Sequence, residues 1–136
     1  MEKKKEGRKT ILVVDDEAEV RKLVGAMVSR HGYNVLTADS GDHALTLVKN
    51  QKNPIDLLLT DVVMPHLGGR SLVAYMAVYF PGIKVLFTSG YAEHGIAHHE
   101  QLDQGAAFLA KPFSAAALAR KVRGARQLAT RQETRR

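Results

Sequence analysis

The sequence feature that most constrains the fold is a short, largely apolar run over residues 55–60 that stops at the carboxylate of Asp61. Such runs are typical of strands buried on both faces, as in a parallel sheet flanked by helices. Met64-Pro65 and Gly68-Gly69 follow, and both pairs are typical of a chain that turns away from a strand. Because an aspartate in this position is often only a turn residue, the rest of the chain has to decide its role.

The same order of strand and then helix occurs five times along the chain. The predicted strands are residues 10–14, 33–38, 55–61, 83–87 and 107–110. The segments after them predict a helix ended by His31-Gly32, one that follows Ser40-Gly41, one over 71–80, a marginal and mobile one over 91–103, and one over about 114–128. Parallel strands need a crossover of about a dozen residues or more, and the spacing provides it. The predicted fold class is α/β, a doubly wound parallel sheet of five strands with five helices.

The helical segments differ in how much of their surface is apolar. Five residues of the first helix fall at helical spacing and predict one buried face: Val20, Leu23, Val24, Met27 and Val28. The third helix is apolar nearly all round, which leaves deep burial and a contact face as open interpretations. The last helix is expected to turn Leu118, Val122 and Ala125 inward.

Length and charge exclude several classes of protein. The 136 residues suit one domain. Cysteine is absent, which excludes disulfides and thiolate metal sites. No apolar run approaches the ~20 residues needed to span a bilayer. The net charge of +6 comes from the ends, because residues 1–9 contribute +3 and residues 118–136 contribute +6, which leaves −3 for the body. We therefore expect a cytoplasmic domain over 10–128 with basic, solvated tails at 1–9 and 129–136.

Polar side chains lie where the predicted strands end: Asp15 and Asp16, then Asp61, Thr88 and Lys111. In such sheets the carboxyl ends of the strands form the ligand-binding edge. Carboxylates gathered there repel each other and raise one another's pKa unless a cation joins them. Magnesium is typically bound by one or two carboxylates plus a substrate phosphate, and lysine suits phosphate oxygens. The pattern therefore indicates phosphoryl transfer to a carboxylate nucleophile.

With these spacings, the five residues and Pro112 resemble the receiver domain of two-component response regulators. The resemblance covers about residues 10–128 and implies the flavodoxin-like strand order 2-1-3-4-5. It implies that Asp61 accepts a phosphoryl group from a histidine kinase or a histidine phosphotransfer protein. It also implies that Asp16, Asp61 and the backbone carbonyl of Val63 bind Mg²⁺ directly, with Asp15 acting mainly through a bound water.

The resemblance assigns roles to the remaining polar residues as well. Lys111 would contact the phosphoryl oxygens, and Asp61 before phosphorylation. Thr88 would hydrogen-bond the phosphoryl group, Phe108 would occupy the aromatic switch position, and the Lys111-Pro112 bond would be cis. Phe108 departs from the family in lacking the hydroxyl of the tyrosine often found there. Val63 and Gly90 place no polar side chain at two positions that tune the phosphoryl lifetime.

Other functions explain these residues less well. A flavin protein of the same fold would not need three strand-end acids and a lysine, and a small aspartyl-phosphate phosphatase would carry an acid where Val63 stands. The basic ends could bind nucleic acid, but without a recognisable reading motif we expect only weak, salt-sensitive binding. His94, His98 and His99 invite a metal site, although a solvated surface explains them better.

No output domain is visible in the sequence, so the expected function is an isolated receiver that works by protein contact, either as a stand-alone regulator or shuttle or as the receiver of a hybrid sensor kinase. The stretches 87–91 and 108–113 are similar to receivers of hybrid sensor kinases. The expected partners are a phosphohistidine donor and a downstream protein, with no membrane and no specific nucleic acid, and a phosphorylation-dependent dimer is one further arrangement. The chain is expected to catalyse only its own phosphorylation and dephosphorylation.

Overall fold

The computed structural model describes residues 8–52, 54–90 and 107–127. Within these residues five strands form one parallel sheet: β1 (Thr10–Val14), β2 (Asn34–Ala38), β3 (Leu57–Asp61), β4 (Lys84–Ser89) and β5 (Ala107–Ala110). The strand order is β2-β1-β3-β4-β5. This order confirms the predicted doubly wound sheet and places β1 beside β3.

Four helices lie within the described residues: α1 (Ala18–Arg30), α2 (Gly41–Lys49), α3 (Gly69–Tyr79) and α4 (Ala115–Gln127). None of them is long and apolar enough to cross a membrane. The predicted helix over 91–103, with its three histidines, lies outside the described residues, as do positions 1–7 of the first predicted tail, position 128, and the whole predicted tail 129–136. The predicted end of β4 was two residues short, because Thr88 and Ser89 continue the ladder beside Asp61 and β5.

The sheet separates two apolar cores, since alternate residues of each strand point to opposite faces. One core packs α1 and α4 against the sheet and includes the three inward residues predicted for the last helix. The other packs α2 and α3 against the opposite face. In β1, Ile11 and Val13 belong to the first core, whereas Leu12 and Val14 belong to the second. The central strands are thus buried on both faces, as their apolar runs predicted.

The prediction that Leu23 belongs to the buried face of α1 was wrong. Leu23 is 57% exposed, whereas Val24, Gly25 and Val28 are buried. Gly25 faces β2, and a Cβ built there would meet Cγ2 of Thr37 at 3.6 Å, an ordinary van der Waals distance. Helix α1 therefore packs on the sheet through Val24, Gly25 and Val28, and Leu23 lies outside this face.

The apolar surface of α3 divides into a buried face and an exposed face. Leu72 and Met76 are fully buried against the sheet. Tyr75, Val78 and Tyr79 are 55%, 76% and 44% exposed. Of the two interpretations left open by the sequence, deep burial is therefore wrong for this outer face.

The turn after Asp61 is held against the strand by Gly69, the first residue of α3. The Gly69 N–H donates to the carbonyl of Val62 at 2.9 Å. A Cβ at this position would overlap the backbone carbonyl oxygen of Asp61. Only glycine allows the helix to begin this close to the strand end, so Gly69 fixes the backbone that presents the Asp61 carboxylate.

We predict that Gly69→Ala destabilises the fold by about 1–3 kcal/mol, because the added methyl group must displace backbone. The matched control is Gly124→Ala in α4, where a Cβ meets nothing within 4 Å. That substitution should stabilise the protein by about 0.4–1 kcal/mol through a less flexible unfolded chain. Urea unfolding of both variants tests this, and equal stability of the two would contradict the proposed overlap.

Candidate functional site

Three carboxylates gather at the carboxyl edge of the sheet. Asp15 and Asp16 follow β1, and Asp61 ends the neighbouring strand β3. Each offers an oxygen, and these three oxygens lie within 4.8 Å of one another. Asp15 and Asp61 are buried, whereas Asp16 is exposed. The predicted acidic cluster is therefore present, with two carboxylates in the protein interior and one at the surface.

Lys111 extends from the end of β5 into this cluster. Its Nζ lies 2.9 Å from Oδ2 of Asp61 and 3.1 Å from Oδ2 of Asp15. The Lys111 backbone N–H donates to the carbonyl of Ser89 at 2.9 Å, which extends the β4–β5 pairing to the lysine. The Lys111-Pro112 bond is cis, as predicted. The predicted contact with Asp61 is present, and the contact with Asp15 is an addition that the sequence reasoning missed.

Asp15 has partners for both carboxylate oxygens. Its Oδ1 accepts the backbone N–H of Glu17 at 2.9 Å, and its Oδ2 accepts from Lys111. A guanidinium N–H of Arg21 donates to the Asp15 carbonyl at 2.8 Å, which ties the turn after β1 to the first turns of α1. Sequence reasoning also missed Arg21, although a cation six residues after the acid on the following helix was a readable signal.

Asp61 differs from Asp15 in keeping one oxygen without a partner. Within the described part of the chain, Asp61 Oδ1 is the one buried side-chain oxygen or nitrogen that makes no hydrogen bond. Such a group is costly to bury. A hard divalent cation held by neighbouring carboxylates would satisfy it. The buried, unpartnered oxygen and the acidic cluster fit a divalent metal site.

Burial raises the pKa of the Asp61 carboxyl above its ordinary value of 3.8. The Lys111 hydrogen bond and charge oppose this rise, and repulsion from Asp15 adds to it. Burial would lower the pKa of Lys111, but attraction from Asp61 and Asp15 outweighs it and raises that pKa above 10.5. Lys111 therefore remains a cation at neutral pH and offsets part of the carboxylate charge.

The predicted switch residues lie on the strands beside Asp61. Thr88 is buried and is paired with Asp61 across β3 and β4. Phe108 is buried on β5 and stacks on Phe87, with 5.2 Å between ring centroids and an interplanar angle of 26°. The contact of Phe87 with Phe108 was not predicted, because a phenylalanine within a strand is usually just a core residue. Val63 is 56% exposed beside the acidic cluster, and its role as a carbonyl ligand stays a prediction.

Comparison with known proteins decides the family. The family model of the response regulator receiver domain matches residues 11–123. The chain belongs to this receiver family. The receiver is 38% identical over 117 residues to the sensor kinase CckA of Brucella abortus, a match that covers 86% of this chain and 12% of that protein. It is also 31% identical to the receiver protein CpdR of the same organism, covering 77% of this chain and 86% of the relative.

A solved receiver domain from Clostridium thermocellum has the same fold. Its TM-score is 0.74 at 30% sequence identity, and the alignment covers 86% of this receiver and 93% of the other chain. The receiver spans about an eighth of CckA but most of CpdR. It is thus similar both to a piece of a large kinase and to a small separate protein. The predicted limits of 10–128 stay a prediction beside the matched 11–123.

We predict that the stability of the metal-free receiver, relative to its Asp61→Asn variant, rises as the pH falls from neutral toward 3.8. The folded carboxyl has the raised pKa, so folding takes up a proton between the unfolded and the folded pKa values, and this contribution is lost as the pH rises. Urea unfolding across this range measures the difference, with Asp42→Asn as an exposed control. A difference that shrinks on acidification would contradict the raised pKa.

Proposed function

We propose that this receiver accepts a phosphoryl group on Asp61 from a phosphohistidine of a histidine kinase or a histidine phosphotransfer protein. The observation that supports this most directly is the Asp61 carboxylate itself. It is buried at the sheet edge, lies 2.9 Å from the Lys111 ammonium, and keeps one oxygen unpartnered among the described residues. A group so arranged can act as a nucleophile beside a fixed positive charge.

In the proposed transfer, a carboxylate oxygen of Asp61 attacks the phosphorus atom of the phosphohistidine. The phosphorus–nitrogen bond breaks, its electron pair stays on the imidazole nitrogen, and Asp61 becomes an acyl phosphate. The Lys111 ammonium then donates charge-assisted hydrogen bonds to the phosphoryl oxygens. Asp16, Asp61 and the Val63 carbonyl would hold Mg²⁺ directly, with Asp15 acting mainly through a bound water, and the ion would supply further positive charge to those oxygens.

The signal would pass through β4 and β5. Thr88 is the neighbour of Asp61 across the sheet, so its hydroxyl is within reach of a phosphoryl group with a local movement. Phe108 is already buried on Phe87, so it would adjust within a packed aromatic pair. Without a hydroxyl, Phe108 reports its position by packing alone. The downstream readout is a phosphorylation-dependent protein contact, which could include a dimer.

The similarity to receivers of a sensor kinase and of a small regulator supports a role in a phosphorelay. We propose that the protein acts in the cytoplasm and catalyses only its own phosphorylation and dephosphorylation. Its partners would be proteins, with no membrane and no specific nucleic acid. The phosphohistidine donor would lie on the same chain if the receiver belongs to a hybrid kinase, and on another protein if the receiver is a separate regulator.

We predict that acetyl phosphate with Mg²⁺ adds one phosphoryl group to the wild type and none to Asp61→Asn, because an amide is not a nucleophile for phosphorus. Intact-mass spectrometry measures the added mass. The control is Asp42→Asn, which removes an exposed aspartate from α2 and should leave labelling unchanged. Labelling of Asp61→Asn to the wild-type extent would exclude Asp61 as the acceptor.

We also predict that Mg²⁺ stabilises the receiver against heat. Binding to the folded state alone adds about 2.7 kcal/mol at a hundred times the dissociation constant. Asp16 is the exposed member of the cluster, so Asp16→Asn should weaken this effect with little change in the metal-free fold. Thermal unfolding with increasing Mg²⁺ tests this, again with Asp42→Asn as the control. Identical Mg²⁺ responses in the wild type and Asp16→Asn would contradict the assigned ligand.

A further inference from the structure

A pocket of about 370 Å³ lies at the opposite edge of the sheet from Asp61. Its wall includes the residues that lead into β1 and β3, the start of β4, and the ends of α3 and α4. Asp56, on its wall, is five residues before Asp61 in the chain, which corresponds to about 16 Å along a strand. The pocket therefore has no part in the phosphoryl chemistry.

Cations predominate on the pocket wall, where Lys9, Lys84 and Arg126 face a single acid, Asp56. That acid is already engaged, because its Oδ2 accepts the backbone N–H of Thr10 at 2.8 Å and its Oδ1 lies 3.9 Å from Nζ of Lys9. With Lys9 beside this acid, the pocket wall still carries a net positive charge, which favours an anionic ligand.

One of these cations is held in place before any ligand arrives. Arg126 donates to the hydroxyl of Tyr33 at 3.0 Å, and its guanidinium carbon lies 5.3 Å from the centre of the Tyr33 ring. A guanidinium held by a hydrogen bond and a ring contact loses little freedom on binding, and it suits a carboxylate geometrically.

The cationic pocket continues into the exposed apolar face of α3. Tyr79 belongs to both, since it lines the pocket and lies on one helical face with Tyr75 and Val78. Phe80 and Pro81 extend the apolar part of the pocket wall. The only charged residue of α3 is Arg70. A ligand that covers both parts must combine apolar side chains with negative charge.

We propose that this joined surface, the pocket and the outer face of α3, is a docking site for an acidic, apolar peptide segment of a partner protein. Apolar side chains would pack on Tyr75, Val78 and Tyr79, and carboxylates would pair with Lys84 and Arg126. The distance from Asp61 makes this docking independent of phosphorylation, so the receiver keeps its partner in both states.

Other occupants fit the surface less well. The chain's own residues 1–7 and 128–136 are net basic, so their charge opposes the cationic pocket. A second copy would have to present its acidic edge, the phosphorylation edge, and such a head-to-tail contact does not close into a dimer. A flat membrane would cover the outer face of α3 but could not fill the concave pocket.

The test titrates the ¹⁵N-labelled full chain with two capped synthetic peptides, one of leucine, phenylalanine and glutamate, the other with lysine in place of glutamate. We expect the acidic peptide alone to give saturable amide shifts around Tyr79–Lys84. Lys84→Glu should weaken binding about tenfold, the effect of losing one close charge pair. Lys22→Glu, which makes the same charge change on exposed α1, should stay within twofold of the wild type.

Three further variants keep the test decisive. Val78→Ser removes an exposed apolar side chain and should weaken binding without unfolding the protein. If Lys84→Glu disturbs β4, Lys9→Gln replaces it in the test, because it also removes a positive charge from the pocket wall. Asp61→Asn should bind the peptide within twofold of the wild type, which separates this proposal from the phosphoacceptor assignment.

Several results would overturn the docking proposal. They are equal binding of the lysine peptide, equal weakening by Lys22→Glu, peptide shifts centred on the Asp61 edge, and oligomerisation of the chain with no effect of peptide. Binding to phosphatidylserine vesicles that is lost in Lys84→Glu, without peptide binding, would replace the peptide with a membrane surface.

Discussion

The ammonium group of Lys111 lies between two buried carboxylates, and the arrangement of the site depends on it. Asp15 and Asp61 come from adjacent strands, so their negative charges are brought together by the sheet itself. Burying one carboxylate is costly, and burying two side by side is more so. Lys111 reduces this repulsion, and in the proposed phosphorylated state the same charge would face the phosphoryl oxygens. The stability of the buried acid pair and the proposed phosphoryl chemistry therefore depend on one cation.

The parallel sheet gives its two edges different properties. At the carboxyl edge, the strands end in acids, a threonine and a lysine. At the amino edge, Asp56 joins β1 to β3 through the Thr10 N–H, and the surrounding side chains are mostly cationic and apolar. The strands between them are buried on both faces. The fold thus separates the proposed phosphoacceptor site from a second surface by the full length of a strand.

Much of the site could be predicted because strand ends are readable from sequence. Apolar runs locate the strands, and parallel strands place their last residues on one edge, so Asp61 and Lys111 were expected to meet. The additional contact between Lys111 and Asp15 was not predicted, because the two residues are 96 positions apart and pattern alone does not choose between acids. Phe87 and Gly69 were missed for a related reason, since their roles come from what packs on them.

The sequence by itself determined the fold class, the strand order once the resemblance was included, and the position of the proposed acceptor. These follow from local periodicity and from the residue type at each strand end. Only the tertiary structure decided which apolar residues face water. In α1, Val24, Gly25 and Val28 are buried against the sheet, whereas Leu23 faces water. In α3, the sheet covers one side of an apolar helix and leaves Tyr75 and Val78 exposed. Burial depends on what packs against a residue, and a one-dimensional pattern does not contain that information.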